Sequence, residues 1–233
     1  MEIQIGVAKI KKYASSESGD TIEVVERPNG GLSVVLADGQ RSGKSAKRIS
    51  NMVVQKVISL LAEGVRDGAA ARAASDYLYA QRGGQVQSTL NIMSIDLVTN
   101  TVVLTRNNPA PLIIWQEKMY GILGEDSQPV GIYRNTRPVI NELNLEKDLG
   151  VISFTDGLLH AGSRNGKELN LEQLLTPLLI KSESAQLIAD HLIQYALEAD
   201  QNRPVDDISV VVMNVAPKYG DDVRRMSIRL PLV

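Results

Sequence analysis

LADGQRSGKSAKR, residues 36–48, admits three readings, and each belongs to a different fold. An apolar run, residues 32–37, leads into it and an amphipathic segment leads out, which is the strand–loop–helix setting of a phosphate-cradling loop. Such a loop is written G-x-x-x-x-G-K-[ST], with glycine amides ringing the phosphates and the lysine reaching them. Gly43, Lys44 and Ser45 supply G-K-S, but the required first glycine falls on Asp38, and Gly39 comes one place late. A carboxylate at the mouth repels phosphate, and a loop one residue short cannot close the same ring of amides. A strand ending in Asp-Gly presents instead a hard oxygen ligand of the kind a divalent cation takes. The third reading is a plain surface turn, since Asp-Gly is a common turn pair.

The order of elements separates the folds. Residues 3–10, 21–27 and 32–37 have β character, with PNGG as a hairpin turn between the last two. Ile49, Met52, Val53, Val57, Leu60 and Leu61 recur at helical spacing, and DGAAARAASDYLYAQRG reads as a second, alanine-rich helix. β character returns in STLNIMSIDL, TVVLTRN and LIIWQ, an antiparallel meander with no helix between residues 88 and 116. LGVISFTDG is a buried strand ending in another Asp-Gly. Two helices follow, NLEQLLTPLLI and SAQLIADHLIQYALEA, then a strand in PVDDISVVVMNV and a last one in RRMSIRLPL. A phosphate-loop fold alternates strand and helix to build a parallel sheet. This order predicts instead an α+β protein, a four-layer α-β-β-α sandwich of two mainly antiparallel sheets with helix pairs on the outer faces. No linker or repeat interrupts it, so residues 1–233 are expected to form one domain.

Composition narrows the chemistry. A formal charge of −2 gives no reason to expect a nucleic-acid partner, and the 43% apolar, 22% charged make-up is that of a globular chain. No stretch reads as a membrane span or a signal peptide, so no membrane partner and a cytoplasmic location are expected. The chain has no cysteine and two histidines, His160 and His191, so a metal here would be held by carboxylates, which favours Mg²⁺ or Mn²⁺. Asp20 in SGDT, Asp38 in LADG, Asp156 in FTDG, and Asp206 with Asp207 in VDDIS all lie at strand boundaries. Aspartates at turns commonly do no more than end strands. Gathered at one end of a sandwich they repel one another, and a bound cation is the usual relief.

In that order, the G-D of SGDT, the A-D-G of VLADG, the T-D-G of SFTDG and the D-D-I-S of VDDIS resemble the metal-dependent serine/threonine protein phosphatases (PPM, type 2C), and within them the bacterial SpoIIE-like branch. NNPAPLII and QPVGI are softer echoes, and the resemblance covers roughly residues 19–215. It implies a phosphoserine or phosphothreonine protein as substrate, typically an antagonist domain that controls an anti-sigma factor, or a stressosome component. It further implies two Mn²⁺ or Mg²⁺ ions, with a third allowed, and attack on phosphorus by a metal-bridging water or hydroxide. Asp38 would bridge the ions, the Gly39 carbonyl would ligate one, Asp156 and Asp206 the other, and Asp20 would act directly or through water, with Asp207 second to Asp206. Asp20 and Asp38 are the expected catalytic pair.

Departures from the family pattern mark this chain. The glycine-rich continuation after A-D-G is here QRSGKSA, placing Arg41 and Lys44 beside the expected metals, where they could grip the substrate phosphate or stand as solvated helix-start residues. Gln40 stands where eukaryotic relatives have a histidine acid, which leaves metal-bound water, or His160, for that work. The first G-D comes at residue 19, leaving no room for a preceding sensor, so a stand-alone, RsbX-like type is expected. Two other functions compete: a catalytically degenerate phosphatase fold that binds a phosphoprotein, and an NTPase built on Gly43-Lys44-Ser45.

Overall fold

A strand whose successive side chains are all apolar must be covered on both faces. Val34, Val35, Leu36 and Ala37 are at most 2% exposed, so the LSVVLA strand lies in the middle of a layered structure. In this computed structural model, which describes residues 1–116, 119–167, 170, 174–176, 184–218 and 220–231, the layers are two five-stranded sheets. One sheet holds β1 (Glu2–Ile10), β6 (Leu112–Gln116), β7 (Met119–Leu123), β9 (Gly150–Phe154) and β10 (Ile208–Ala216), in the order β1-β10-β9-β6-β7. The other holds β2 (Asp20–Glu26), β3 (Leu32–Gly39), β4 (Ser88–Asp96), β5 (Thr101–Asn107) and β8 (Val139–Asn144), in the order β2-β3-β4-β5-β8. Every pairing is antiparallel, and the phosphate-loop reading of residues 36–48 loses its parallel sheet.

Alternation along each strand sorts side chains into three cores. Val34, Leu36, Met93, Leu104, Val211 and Met213 fill the space between the sheets. Val35 and Ala37 turn the other way, against Val53, Val57 and Leu61 of α1 (Gly43–Ala62) and Ala70, Ala74 and Leu78 of α2 (Asp67–Arg82). On the far side, Ile152, Phe154, Val210 and Val212 pack on Leu158 of α3 (Asp156–His160) and on Ile188, Leu192 and Ala196 of α4 (Ala185–Ala199). Each fully buried aliphatic side chain is worth about 1.5–3 kcal/mol, so the layers hold together by burial rather than by surface ion pairs. The expected α-β-β-α sandwich is therefore present.

Three expectations need correction. LIIWQ does not extend the meander: β6 leaves the β4–β5 sheet and pairs with β7 and β9 in the other one. β7 and β8 fall in residues 117–148, which lack strong alternation of apolar and polar residues; β7 has the exposed side chains Met119, Tyr120 and Ile122. RRMSIRLPL forms no strand over its described residues; Met226, Ile228 and Leu230 are 67–86% exposed, and Arg224 reaches back to Glu26 and the Gly30 carbonyl. The expected helix NLEQLLTPLLI lies largely outside the described residues.

One glycine shows how tightly the sheets are built. Gly150 faces Trp115 across the β9–β6 ladder, and a methyl group there would lie 1.9 Å from the indole. Gly150→Ala is expected to cost about 1–3 kcal/mol in urea denaturation, as overpacking does; a change within about 0.5 kcal/mol would mean that Trp115 has room to move.

Candidate active site

The antiparallel register of β2 and β3 sets Asp20 directly opposite Asp38. Asp20 is fully buried and Asp38 partly so, and their carboxyl groups are near enough to share a proton. One Asp20 oxygen, Oδ2, accepts hydrogen bonds from Ser209 Oγ (2.6 Å) and Thr155 Oγ1 (3.2 Å), both from the opposite sheet. The other, Oδ1, is buried without a donor. Burial and the charges of Asp20, Asp156 and Asp206 push Asp38 up to about 9, and burial also raises Asp20, to about 6. Asp206 is raised too, by burial. Asp20, Asp38, Asp156 and Asp206 therefore act on one another across the end of the sandwich.

Asp206 and Asp207 do different work despite being adjacent. Asp207 is buried and spends both oxygens on backbone amides, Lys12 N–H at 2.9 Å and Gly19 N–H at 2.8 Å, so it ties the β1–β2 connection to the start of β10. Asp206 is partly exposed, with Lys12 Nζ at 3.9 Å.

The glycines after the aspartates are not turn formers. Asp38 and Gly39 both lie within β3, Asp156 and Gly157 open α3, and neither glycine has a positive φ. What requires glycine is close approach: a methyl group on Gly39 would lie 2.0 Å from the Ala46 carbonyl oxygen, and one on Gly157 would lie 2.1 Å from that of Asp207. The expected Asp-Gly turn is displaced to residues 40–43, where Arg41 (φ 76°) and Gly43 (φ 69°) turn the chain into α1. Gln40 is held by two hydrogen bonds to the Gln87 backbone, its backbone N–H donating to the Gln87 carbonyl and its Oε1 accepting from the Gln87 N–H. Arg41, Lys44 and His160 are exposed.

Several residues that position the site were missed in the sequence. Thr155 and Ser209 orient Asp20, Ser88 Oγ donates to the Asp38 carbonyl (2.7 Å), and Thr89 Oγ1 accepts from the Asp38 N–H (3.2 Å). Lys9 and Lys47 both donate to the Asp20 carbonyl, at 2.6 and 2.7 Å. Burial and the neighbouring Lys47 charge lower Lys9 to about 8. The signal available was proximity: Thr155 directly precedes Asp156, and Ser209 follows Asp207 by two places.

Among the described residues, no three Asp, Glu, His or Cys side chains are gathered into a ready-made metal cage. The donors present nevertheless fit a hard divalent cation. All are oxygens, one buried carboxylate oxygen has no partner, and the Asp20–Asp38 pair needs either a proton or a cation between its members.

Two predictions follow from these placements. An acid whose folded pKa lies above its unfolded value binds protons more tightly when folded, so stability falls as pH rises between the two. For Asp38 that window runs from the ordinary 3.8 to about 9. In EDTA the melting temperature should drop by roughly 3 °C or more between about pH 5.5 and 8.5, and Asp38→Asn should flatten the slope; a wild-type slope of opposite sign refutes the assignment. Asp207→Ala, which strands two amides, should cost about 1–3 kcal/mol in denaturant unfolding, with a smaller loss for Asp206→Ala; equal losses would contradict their different contacts.

Comparison with known proteins agrees with this layout. A family model described as stage II sporulation protein E (SpoIIE) matches residues 28–216. The stage II sporulation protein E of Priestia megaterium is 24% identical over 223 residues, covering 94% of this chain and 38% of that protein, so the chain spans well under half of this relative's length. A structure of the PP2C phosphatase domain, with a fragment of the regulatory domain, of SpoIIE from Bacillus subtilis superposes with a TM-score of 0.77 at 20% identity, over 92% of this chain and 64% of that one. RsbX in complex with magnesium superposes with a TM-score of 0.69 at 16% identity, over 91% and 94%.

Proposed function

The chain belongs to the stage II sporulation protein E (SpoIIE) family, and from that premise we propose that it is a metal-dependent protein serine/threonine phosphatase. The observation that carries the proposal is the buried Asp20–Asp38 pair with its unpartnered Oδ1, set at the end of the sandwich where Asp156 and Asp206 also act on it. Asp38, the Gly39 carbonyl, Asp156 and Asp206 would hold two Mn²⁺ or Mg²⁺ ions, with Asp20 completing the set. When bound, such ions supply a water that is nucleophilic near neutral pH and offset charge on the phosphoryl group. Thr155 and Ser209 fix one Asp20 oxygen and leave the other for the cation. Asp207 serves as a brace rather than a ligand. Gln40, bonded to Gln87, offers no proton to a leaving group.

The substrate in this reading is a phosphoserine or phosphothreonine protein of bacterial signalling, of the anti-sigma antagonist or stressosome type, met in the cytoplasm. Among the described residues no helix is long and apolar enough to cross a membrane. The altered loop at residues 40–45 and the absence of a ready-made cage favour a second reading, a phosphoprotein-binding module without turnover.

Hydrolysis of p-nitrophenyl phosphate and of a phosphoserine protein, with Mn²⁺, Mg²⁺ or EDTA, separates the two. Wild type should turn over only with metal, and Asp38→Ala should lose at least about 100-fold, equivalent to several kcal/mol of transition-state stabilisation. Lys44→Ala should retain measurable turnover. Absent turnover on both substrates rejects the phosphatase and leaves the binding module, whereas metal-independent turnover rejects both readings.

A further inference from the structure

Arg41 is an arginine in a left-handed backbone conformation, φ 76°, which a glycine adopts without steric cost. Strained residues of this kind persist where the surroundings impose them and cluster at functional sites. Arg41 is exposed, as is Lys44 three residues on, and among the described residues no hydrogen bond or ion pair engages either side chain.

These two cations belong to a larger basic group. Ser15 Oγ lies 3.6 Å from where a methyl group on Gly43 would stand, so the β1–β2 connection and the β3–α1 connection touch beside Asp38. Around the first stand Lys9 at the end of β1 with Lys11 and Lys12, around the second Arg41 with Lys44 and Lys47 of the start of α1, and Glu17 is the one acidic residue in residues 9–18 and 40–47. Arg203, with its guanidinium 5.5 Å from the Tyr13 ring centroid, adds a further cation beside the β1–β2 connection, and the Tyr13 N–H donates to the Pro204 carbonyl. Lys9, Lys12 and Lys47 point at groups of the site itself, the Asp20 carbonyl and Asp206. Arg41 and Lys44 have no such task, so balancing the site's own carboxylates does not account for them.

We propose that this basic rim selects phosphoproteins carrying acidic side chains beside the phosphorylated residue. The inference rests on the phosphatase reading and adds its substrate class. The carboxylates at the centre are matched to cations, whereas the rim is open to an acidic segment laid across the mouth. A nucleic acid is the less suitable polyanion, because the chain's formal charge is −2 and gives no general attraction for a polyanionic backbone. One exposed ion pair changes affinity by up to about fivefold, so two engaged rim cations give a preference of about tenfold.

The test uses the Mn²⁺-loaded protein and three peptides with one phosphoserine core, flanked by Glu and Asp, by Ser and Gly, or by Lys. Both kcat/KM and the binding of labelled peptides by fluorescence anisotropy are read at about 50 and about 300 mM NaCl. The acidic peptide should exceed the neutral one about tenfold at low salt and less than about threefold at high salt. Arg41→Gly, which also relieves the backbone, should remove most of the preference, and Arg41→Lys should keep it. Equal use of acidic and neutral peptides, an Arg41→Gly variant that retains the full preference, or equally tight binding of a short oligonucleotide overturns the proposal. Loss of preference alongside metal-dependent p-nitrophenyl phosphate hydrolysis leaves the phosphatase reading standing. Acid-selective binding with no turnover on any substrate supports the rim and rejects the phosphatase.

Discussion

Two carboxyl groups facing each other inside a protein are unfavourable, and the rest of this structure is arranged around that fact. Asp20 and Asp38 are forced together by the β2–β3 register, and shifting that register by one residue would turn every core side chain of β3 to the wrong face. The pair therefore cannot relax by sliding. It is relieved locally: Ser209 and Thr155 reach across from the other sheet to one oxygen, and Lys9 and Lys47 donate to the adjoining carbonyl, which brings positive charge beside the pair. The oxygen left over, Asp20 Oδ1, is where the strain remains.

Close approach of backbone does the positioning. Gly39 lets the first turn of α1 press its Ala46 carbonyl against the end of β3, and Gly157 lets α3 lie on the Asp207 carbonyl. Gly19 has the same constraint, since a methyl group there would sit 2.7 Å from Ala46 Cβ and 3.3 Å from Asp207 Oδ2. The three glycines next to aspartates are thus packing contacts that bring strand ends and helix starts to one place. Replacing any of them moves a carboxylate rather than a turn.

Much of this was legible in the sequence, for physical reasons. Central strands such as VVLA and SVVVM are buried on both faces and read as continuous apolar runs, and α1 and α4 carry strong helical periodicity. The four aspartate motifs stood out because they interrupt apolar runs at their ends. β7 and β8 were not legible, because edge strands with exposed side chains, such as Met119, Tyr120 and Ile122, lack a clean alternation. Nor was the β6 crossover, since pairing partners distant in sequence leave no local mark. The family resemblance ranked Asp207 second to Asp206, but the bracing contacts of Asp207 were not legible: they depend on which side chain meets the amides of Lys12 and Gly19, far away along the chain.

The site straddles the sandwich, and this links its chemistry to its stability. Asp20 and Asp38 come from one sheet, Asp156 and Asp206 lie next to strands of the other, and among the described residues the side chains that bridge to Asp20 Oδ2 are the hydroxyls of Thr155 and Ser209. The apolar core between the sheets holds them face to face. A cation bound by carboxylates from both sides would add a second tie between the sheets. Its binding free energy would then also favour the folded state, in proportion to how far its concentration exceeds its dissociation constant. Without it, burial and mutual repulsion disfavour the charged carboxylates that the hydroxyls and lysines hold in place.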